Sequence, residues 1–220
     1  MNFPLCPRFQ AVLFDMDGTL LDTLSDMQDA VNHILLENGW PQRTLEEIRA
    51  FVGNGAAKLM ERAIPEPIAP QRFQEILSTY KDWYQAHNCV KTAPYPGIPE
   101  VLAELEKMGV KTAVVSNKPD ATTKALAEKF FPGMPALGQR DGVGPKPSPA
   151  LVAQALSDLG VRPENAVYVG DSEVDVATAR NAGLPLIAVS WGFRGREKLE
   201  IAGAEHIADT APQLLEMLCR

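Results

Sequence analysis

The chain has 220 residues, of which 45% are hydrophobic and 22% are charged, as is ordinary for a globular protein with a substantial core. Its formal net charge of -7 argues against a nucleic-acid partner, because binding to a nucleic-acid backbone needs clustered lysine and arginine. The acidic balance does not exclude a phosphate-bearing substrate, which a local cation can attract. No apolar run approaches the length of a membrane span, so the sequence predicts no membrane association.

The N-terminus and the cysteines predict a protein of the reducing cytoplasm. Residues Met1 to Pro7 lack the basic start and the apolar stretch of a signal peptide. Cys6, Cys89 and Cys219 are odd in number and far apart, which argues against a disulfide framework or a zinc site. We therefore expect reduced thiols and a cytoplasmic location.

The first predicted element is a buried strand that ends at two acidic residues. The apolar run from Ala11 to Phe14 leads into Asp15 and Asp17, and Gly18 follows. Residues i and i+2 of an extended chain lie on the same side, so the two carboxylates repel each other unless a cation or a proton lies between them. Mg2+ would neutralise them and leave one oxygen free to attack an electrophile. The same Asp-x-Asp-Gly pattern occurs in calcium loops and ordinary turns, so alone it leaves the chemistry open.

Residues 21–88 predict helices and no convincing strand. Apolar residues recur at helical spacing, Thr44 and Glu47 match a capping box, and Gly39 suits the end of a helix. The predicted helices are Ser25 to Asn38, one that opens after Thr44, Gly55 to Ala63, and Gln71 to His87. We expect this stretch to form a small helical bundle.

From about residue 90 onward, short apolar strands alternate with helices. This order is typical of a parallel sheet with helices on both faces, and the ligand site of such a sheet lies at the carboxyl ends of its strands. The predicted fold is therefore α/β: a Rossmann-like parallel-sheet core of residues 1–20 and 89–220, with the helical residues 21–88 inserted as a cap after the first strand. The predicted strands are Val110 to Val115, Ala166 to Val169 and Leu186 to Val189, and the predicted helices are Pro99 to Met108, Ala121 to Phe131, Pro149 to Leu159 and Val174 to Ala182.

A group of polar residues follows one of these strands. Ser116, Asn117 and Lys118 come directly after Val115, and Pro119 suits the first turn of a helix. A hydroxyl and free backbone N–H groups at a helix start form a phosphate-binding site. A serine in this position is also typical of a helix cap, and that interpretation stays open.

Two later loops supply a cation and two more carboxylates. Lys146 lies between prolines in Gly144 to Pro149, a stiff setting that suits an accurately placed ammonium group beside a phosphoryl group. A loop lysine that points to solvent is the alternative. Asp171 follows a predicted strand, and Asp175 comes one helical turn later. Both can join the two N-terminal aspartates in a metal site, whereas Asp171 alone is also explained as a helix cap.

Together these motifs make the chain resemble the haloacid dehalogenase superfamily. The resemblance is to the phosphatase branch, in which a helical cap is inserted after the first motif, and it spans essentially the whole chain. Within that branch the chain is most similar to phosphoglycolate phosphatases, which Phe51 to Ala56 in the cap and Gly183 to Pro185 support. The four motifs that carry the resemblance appear in family order: Asp15 to Thr19, Ser116 to Lys118, Lys146, and Gly170 to Asp175.

The resemblance implies Mg2+-dependent phosphoryl transfer. Asp15 would be the nucleophile that forms an aspartyl phosphate, and Asp17 would protonate the leaving oxygen and then activate water. Mg2+ would be held by Asp15, the backbone carbonyl of Asp17 and Asp171, with Asp175 as a ligand through water or as support. Dehalogenases of this superfamily lack the second aspartate, so the presence of Asp17 favours phosphate chemistry.

The resemblance also implies residues that bind the substrate. The phosphoryl group would be bound or supported by Thr19, Ser116, Asn117 and Lys146. Backbone and amide donors for a small carboxylate would come from the cap residues Gly53, Asn54 and Gly55. A plain turn between two helices is the alternative for these cap residues. The segment from Trp191 to Gly195 follows a predicted strand and is expected to line the site.

The leading functional hypothesis is hydrolysis of a small phosphorylated metabolite, with 2-phosphoglycolate as the first guess. A sugar-phosphate mutase of the same fold is an alternative: the cap shows no obvious basic pair for a second phosphate, but Arg49 and Lys58 leave it open. Pyrophosphate hydrolysis is a further alternative. A non-catalytic binding protein would have lost part of the motifs, and all four are present. We expect a monomer or a homodimer.

Overall fold

The computed structural model describes residues 7–219, so Cys6 and most of the N-terminal stretch used to predict the location lie outside the described residues. Within this range no helix is long and apolar enough to cross a membrane. The strands are β1 (Ala11–Phe14), β2 (Leu21–Asp22), β3 (Ala93–Pro94), β4 (Lys111–Pro119), β5 (Ala136–Gln139), β6 (Ala166–Gly170), β7 (Leu186–Val189) and β8 (Ile207–Ala208). The α-helices are α1 (Leu24–Glu37), α2 (Leu45–Phe51), α3 (Ala56–Ala63), α4 (Pro70–His87), α5 (Ile98–Lys107), α6 (Asp120–Phe130), α7 (Ala150–Leu159), α8 (Glu173–Ala182), α9 (Gly195–Ile201) and α10 (Ala211–Leu218).

Six of the strands form one sheet in the order β5-β4-β1-β6-β7-β8, and all of their pairings are parallel. The central strand β1 pairs with β4 and β6, and Phe14 lies opposite Val114 and Val169. Strands β1 and β6 are wholly buried, since apolar clusters cover both faces of the sheet. One cluster includes residues of α5 and α10, and the other includes residues of α7. The prediction of an α/β Rossmann-like sheet is confirmed.

Two edge strands and two C-terminal helices were missing from the sequence prediction. Strand β5 has only four residues, one of them Gly138, and β8 has two, so neither gives a recognisable apolar pattern. Helices α9 and α10 are also short, with seven and eight residues. The predicted strand from Val110 to Val115 is observed as β4, which runs on to Pro119. Strands at the sheet edge therefore have the weakest sequence signal in this chain.

Helices α1 to α4 form the predicted bundle, with a hydrophobic core of its own that includes Val31, Leu35, Ile48 and Met60. The predicted capping box is present at Thr44, where α2 begins. The expectation that residues 21–88 contain no strand is wrong in one detail, because β2 pairs antiparallel with β3 beside the bundle. A two-residue strand has no periodicity that a sequence can reveal. The exact boundaries of core and cap stay a prediction.

Candidate active site

The carboxyl ends of β1, β4 and β6 lie side by side, and each carries a polar residue that the sequence singled out. Asp15 follows β1, Ser116 lies in the last part of β4, and Asp171 follows β6. The Asp15 N–H donates to the carbonyl of Val169 at 2.8 Å, which continues the pairing of β1 with β6 up to the site. The parallel register therefore gathers residues that are distant in the sequence at one edge of the sheet.

Lys146 joins two of the carboxylates. Its Nζ lies 2.8 Å from Asp15 Oδ1 and 2.8 Å from Asp175 Oδ1, and it donates to the Tyr168 hydroxyl at 3.1 Å. Burial opposes the charged form, but the adjacent carboxylates outweigh it and hold the pKa of Lys146 well above its usual value. Lys146 is therefore a buried ammonium group at the centre of the site, and the solvent-facing alternative is wrong.

Asp15, Asp171 and Asp175 are all buried, and their carboxylate oxygens lie within 4.8 Å of one another. Burial raises the pKa of Asp15 to about 7, against the opposing charge of Lys146, and Asp175 adds to the increase. Burial first, and then Asp175 and Asp15, raise the pKa of Asp171 well above its usual value. Three carboxylates around one ammonium group leave excess negative charge, which a divalent ion would balance. This oxygen-donor set fits a hard cation such as Mg2+.

Asp171 is fixed by the backbone and side chains around it. Its Oδ2 accepts from the Phe193 N–H at 2.7 Å, and its Oδ1 accepts from the Thr19 hydroxyl at 3.3 Å. A Cβ on Gly18 or Gly192 would overlap the Asp171 side chain, and Gly18 also has a φ of 87°. Both positions therefore require glycine. Thr19, which was predicted to bind phosphoryl oxygens, is fully buried and directed at Asp171 instead.

Asp175 also caps the helix that carries it. Ser172 is the N-cap of α8, and the Asp175 carboxylate accepts from the Ser172 N–H at 3.1 Å and from its hydroxyl at 2.6 Å. The interpretation of Asp171 as a helix cap is wrong, because Ser172 takes that position. The other oxygen of Asp175 faces Lys146, so this residue connects the start of α8 to the ammonium group.

Asp17 lies apart from the acidic cluster. Its Oδ1 accepts from the Thr23 hydroxyl at 2.7 Å and lies 3.0 Å from Lys118 Nζ. The expectation that one cation separates the carboxylates of Asp15 and Asp17 is therefore not met, since each faces a different lysine. Among the described residues, the group that could hold a metal ion does not include the Asp17 carboxylate, which leaves the predicted contact through its backbone carbonyl.

Ser116 and Asn117 lie at the polar end of the site, beside Lys146. The interpretation of Ser116 as a helix cap is wrong, because α6 begins at Asp120 with Pro119 as its N-cap. Asn117 Oδ1 accepts from the Lys146 N–H at 2.7 Å, and its Nδ2 donates to the Lys146 carbonyl at 3.0 Å. Asn117 therefore fixes the loop that carries Lys146, in agreement with its predicted supporting position.

The three predicted cap residues do not all reach the site. Gly53 and Gly55 line the cavity, and the Gly53 carbonyl accepts from Asn117 Nδ2 at 3.3 Å. The structure places Asn54 elsewhere: its Oδ1 accepts from Arg62 Nη2 at 3.0 Å on the exposed side of the cap. Gly53 and Gly55 have φ values of 112° and 85°, which explains why this turn uses glycine.

A cavity of about 250 Å3 lies between the cap and the ends of the strands. Its polar end is formed by Asp15, Asp17, Ser116, Asn117, Lys118 and Lys146. Its apolar wall is formed by Met27, Val52, Leu59, Tyr80 and Phe193. A phosphate ester bound here would have its reacting end among the charged groups.

Sequence reasoning assigned no role to several residues that contact the acidic groups or their lysine partners. Lys118 stood inside a recognised motif, so its place after Asn117 was the available signal. Thr23 and Tyr84 gave no such signal, because their contacts depend on how the cap packs against the sheet. The expectation that the segment from Trp191 to Gly195 lines the site fits the position of Phe193.

Comparisons with known proteins agree with this geometry. The family model described as "Haloacid dehalogenase-like hydrolase" matches residues 12–189. A phosphoglycolate phosphatase of Caulobacter vibrioides is 35% identical over 202 residues, covering 88% of this chain and 84% of the relative. An N-acetylmuramic acid 6-phosphate phosphatase of Pseudomonas aeruginosa is 33% identical over 217 residues, covering 97% and 96%.

Solved structures show the same similarity. A crystal structure assigned as a phosphoglycolate phosphatase from Lactobacillus delbrueckii superposes with a TM-score of 0.90 and 37% identity, covering 96% of this chain and 99% of the other. These relatives indicate an enzyme that acts on phosphate monoesters. The chain thus belongs to the haloacid dehalogenase-like hydrolase family.

Proposed function

We propose that the protein is a Mg2+-dependent phosphatase that hydrolyses a small phosphate monoester through an aspartyl phosphate on Asp15. The observation that carries this proposal is the position of Asp15, which pairs with Lys146 and lies close to the other two buried carboxylates in the lining of the cavity. A carboxylate in that setting can approach a phosphorus atom only when its charge is balanced on both sides. The retained lysine and acidic cluster argue against a non-catalytic binding protein.

The metal would be held by Asp15, Asp171 and the backbone carbonyl of Asp17, with Asp175 in support. Bound Mg2+ supplies positive charge that offsets the repulsion between the nucleophile and the phosphoryl oxygens. Lys146 would balance the same charge beside Asp15, and the Ser116 hydroxyl would donate to a phosphoryl oxygen.

The proton steps are assigned to Asp17. In the first step an Asp15 oxygen forms a bond to phosphorus while the bond to the ester oxygen breaks, and Asp17 gives its proton to that oxygen. In the second step water attacks the phosphorus, Asp17 takes the proton from the water, and the bond from Asp15 to phosphorus breaks. Inorganic phosphate leaves, and both carboxyl groups return to their initial states. Thr23 and Lys118 hold the Asp17 carboxyl in place for both transfers.

The first candidate substrate is 2-phosphoglycolate. It is supported by relatives and solved neighbours with that activity in their names. The cavity of about 250 Å3 favours a compact molecule, since pockets for drug-sized ligands are about 300–1,000 Å3.

N-acetylmuramic acid 6-phosphate is the second candidate. The alignment with the relative named for that activity covers 96% of that relative's length, whereas the alignment with the Caulobacter phosphatase covers 84%. This amino-sugar acid is much larger than 2-phosphoglycolate, so it would need a more open arrangement of the cap.

The mutase and pyrophosphatase alternatives have less support. A mutase must bind a second phosphate, and the two cap cations that left this alternative open, Arg49 and Lys58, do not line the cavity. Lys58 instead pairs with Glu61 at 2.6 Å on the exposed side of the cap. Pyrophosphate would leave the apolar wall of the cavity without a partner.

The proposal is tested by phosphate release from 2-phosphoglycolate, N-acetylmuramic acid 6-phosphate, a sugar phosphate and pyrophosphate, with Mg2+ or with a chelator. We expect Mg2+-dependent release that falls by about a thousandfold or more in Asp15→Asn. Asp158→Asn, on the exposed face of α7, is the matched control and should keep full activity. Absence of release from the folded wild-type protein with every ester would refute the proposal.

A further inference from the structure

Lys118 is a buried cation that the phosphoryl steps leave without a contact to substrate. It follows Asn117 near the end of β4, and its side chain is only 3% exposed. Its Nζ lies 3.0 Å from Asp17 Oδ1, donates to the Tyr84 hydroxyl at 2.9 Å, and lies 4.7 Å from the centre of the Tyr84 ring. Lys146 already faces the nucleophile Asp15, so Lys118 is a second ammonium group in the cavity lining.

Lys118 and Tyr84 both retain hydrogen-bond donors that a ligand can use. An ammonium group has three donors, and the described residues provide Lys118 Nζ with two acceptors, Asp17 and Tyr84. The Tyr84 hydroxyl accepts from Lys118, and no described residue accepts its own hydrogen. Both residues line the cavity. Burial raises the pKa of Tyr84 well above its usual value, with Asp17 and Asp26 adding to the increase, so its phenol stays neutral and able to donate.

Lys118 lines the cavity next to its apolar wall. In such surroundings a donor of an ammonium group that has no acceptor is unfavourable. A second anionic group on the substrate would supply the acceptor, whereas a substrate without such a group would leave the donor unused.

We propose that Lys118 and Tyr84 form an anion subsite that binds a carboxylate one carbon away from the ester oxygen. The inference rests on the proposed phosphatase function and narrows its substrate to small phosphorylated 2-hydroxy acids. Asp17 contacts the ester oxygen in that mechanism, and Lys118 Nζ is 3.0 Å from Asp17, so only an anion close to the ester oxygen lies within its reach. The apolar surroundings strengthen this ion pair, because the local dielectric constant is low.

The subsite contains one residue from each part of the fold. Tyr84 belongs to α4 of the helical bundle, whereas Lys118 belongs to β4 of the sheet. The carboxylate would therefore contact both parts at once, and it would bind fully only when the bundle lies against the strand ends. Recognition of the acid and exclusion of water from the phosphoryl group then happen together.

The test compares kcat/KM for 2-phosphoglycolate with kcat/KM for glycolamide phosphate, which has a neutral amide in place of the carboxylate. We expect the wild-type protein to prefer the acid by roughly tenfold to a hundredfold, as for a hydrogen-bonded charged group. Lys118→Met should bring this ratio close to one by lowering the value for the acid alone. Lys118→Arg, which keeps the cation, should retain most of the preference.

Lys81→Met is the matched control, since Lys81 is an exposed lysine near the mouth of the cavity. It should leave the ratio between the two esters unchanged, and a loss of preference there would place the carboxylate at the rim and overturn the proposal. An equal fall for both esters in Lys118→Met would also overturn it, because it would mark a purely structural role. If that variant does not fold, Tyr84→Phe replaces it, with a several-fold fall expected for the acid alone.

The outcomes separate the subsite from the proposed function. A wild-type protein that releases phosphate from both esters at equal rates would remain a phosphatase, but the subsite proposal would be wrong. A wild-type protein that releases phosphate from neither ester, with or without Mg2+, would refute the phosphatase function itself.

Discussion

At the scale of single residues, the site depends on carboxyl groups that burial keeps from ionising freely. Asp15 is 8% exposed and has Lys146 as its closest cation, yet its pKa is raised from 3.8 to about 7. Burial raises the pKa of Asp15 by more than the Lys146 ammonium group lowers it, because Lys146 is shared with Asp175. The metal-free protein therefore carries a proton at Asp15 over much of the range below neutral pH.

This shift predicts that the metal-free protein becomes less stable as the pH rises from about 4 to about 7. The folded-state pKa lies above the unfolded one, so the folded protein keeps a proton that the unfolded chain has released. The stabilisation is fully present below the unfolded pKa and is lost as the pH rises through the folded value, at about 1.4 kcal/mol for each unit of the shift. Urea unfolding in a chelator across this range measures it.

Asp15→Asn provides the comparison for the pH series. The amide does not titrate, so the free energy of unfolding of the variant should fall much less between pH 4 and 7 than that of the wild-type protein. Mg2+ should reduce the fall in the wild-type protein. Equal pH profiles for the two proteins would contradict the assignment to Asp15.

The residues of the acidic cluster were predictable from the sequence, whereas the partners of Asp17 were not. Asp15 and Asp171 each end a strand with a clear apolar run, so the parallel sheet by itself brings them together. Tyr84 reaches Lys118 from a helix of the bundle, and no spacing in the chain indicates which face of that helix meets the sheet. Asn54 was predicted to face the substrate, but its side chain pairs with Arg62 on the exposed side of the cap, and its spacing in the chain does not indicate this orientation either.

At the scale of secondary-structure elements, the segment between β7 and α9 joins the acidic cluster to the helical bundle. The Phe193 N–H donates to Asp171, and the Phe193 ring packs into the core of the bundle. Arg194 Nη1 and Nη2 donate to the carbonyls of Arg49 and Val52 at 2.8 and 2.6 Å. These carbonyls lie at the C-terminal end of α2, where the helix dipole favours a cation. One short loop thus contacts both parts of the site.

Arg194→Met should loosen the bundle from the sheet without unfolding either. Two hydrogen bonds to α2 are lost, together with the ion pair between Arg194 and Glu173, so we expect amide hydrogen exchange in α2 and α3 to become roughly tenfold to a hundredfold faster. Exchange in β1 should stay as in the wild-type protein. Arg196→Met is the control, because Arg196 pairs with Asp209 at 2.6 Å on an exposed surface. Equal effects of the two substitutions would show that the Arg194 contacts do not hold α2.

At the scale of the whole molecule, the chain passes between the sheet and the helical bundle twice. The first passage includes β2 and the second includes β3, and the two strands pair with each other. The sequence predicted the inserted bundle from its uniform helical pattern, but it did not reveal how the two passages are tied together. Besides the strand pairing, a buried side chain links them: Asp26 in α1 is 1% exposed and accepts hydrogen bonds from residues on the second passage.

Asp26 holds the second passage through its backbone. Its carboxylate accepts from the N–H groups of Val90, Lys91 and Thr92 at 3.0, 2.9 and 2.9 Å, and from the Thr92 hydroxyl at 2.8 Å. An acidic side chain near the start of α1 therefore organises a loop more than 60 residues later.

Asp26→Ala should be strongly destabilising. It leaves the buried N–H and hydroxyl of Thr92 without an acceptor, and each such group costs about 1–3 kcal/mol, so we expect the free energy of unfolding to fall by about 3 kcal/mol or more. Asp29→Ala on the same helix removes an exposed ion pair with Lys91 at 2.6 Å and should change the free energy by about 0.5 kcal/mol or less. Urea unfolding compares the two variants with the wild-type protein. Similar losses in both would mean that the Asp26 hydrogen bonds do not hold the two passages together, and that the contact between the bundle and the sheet maintains them instead.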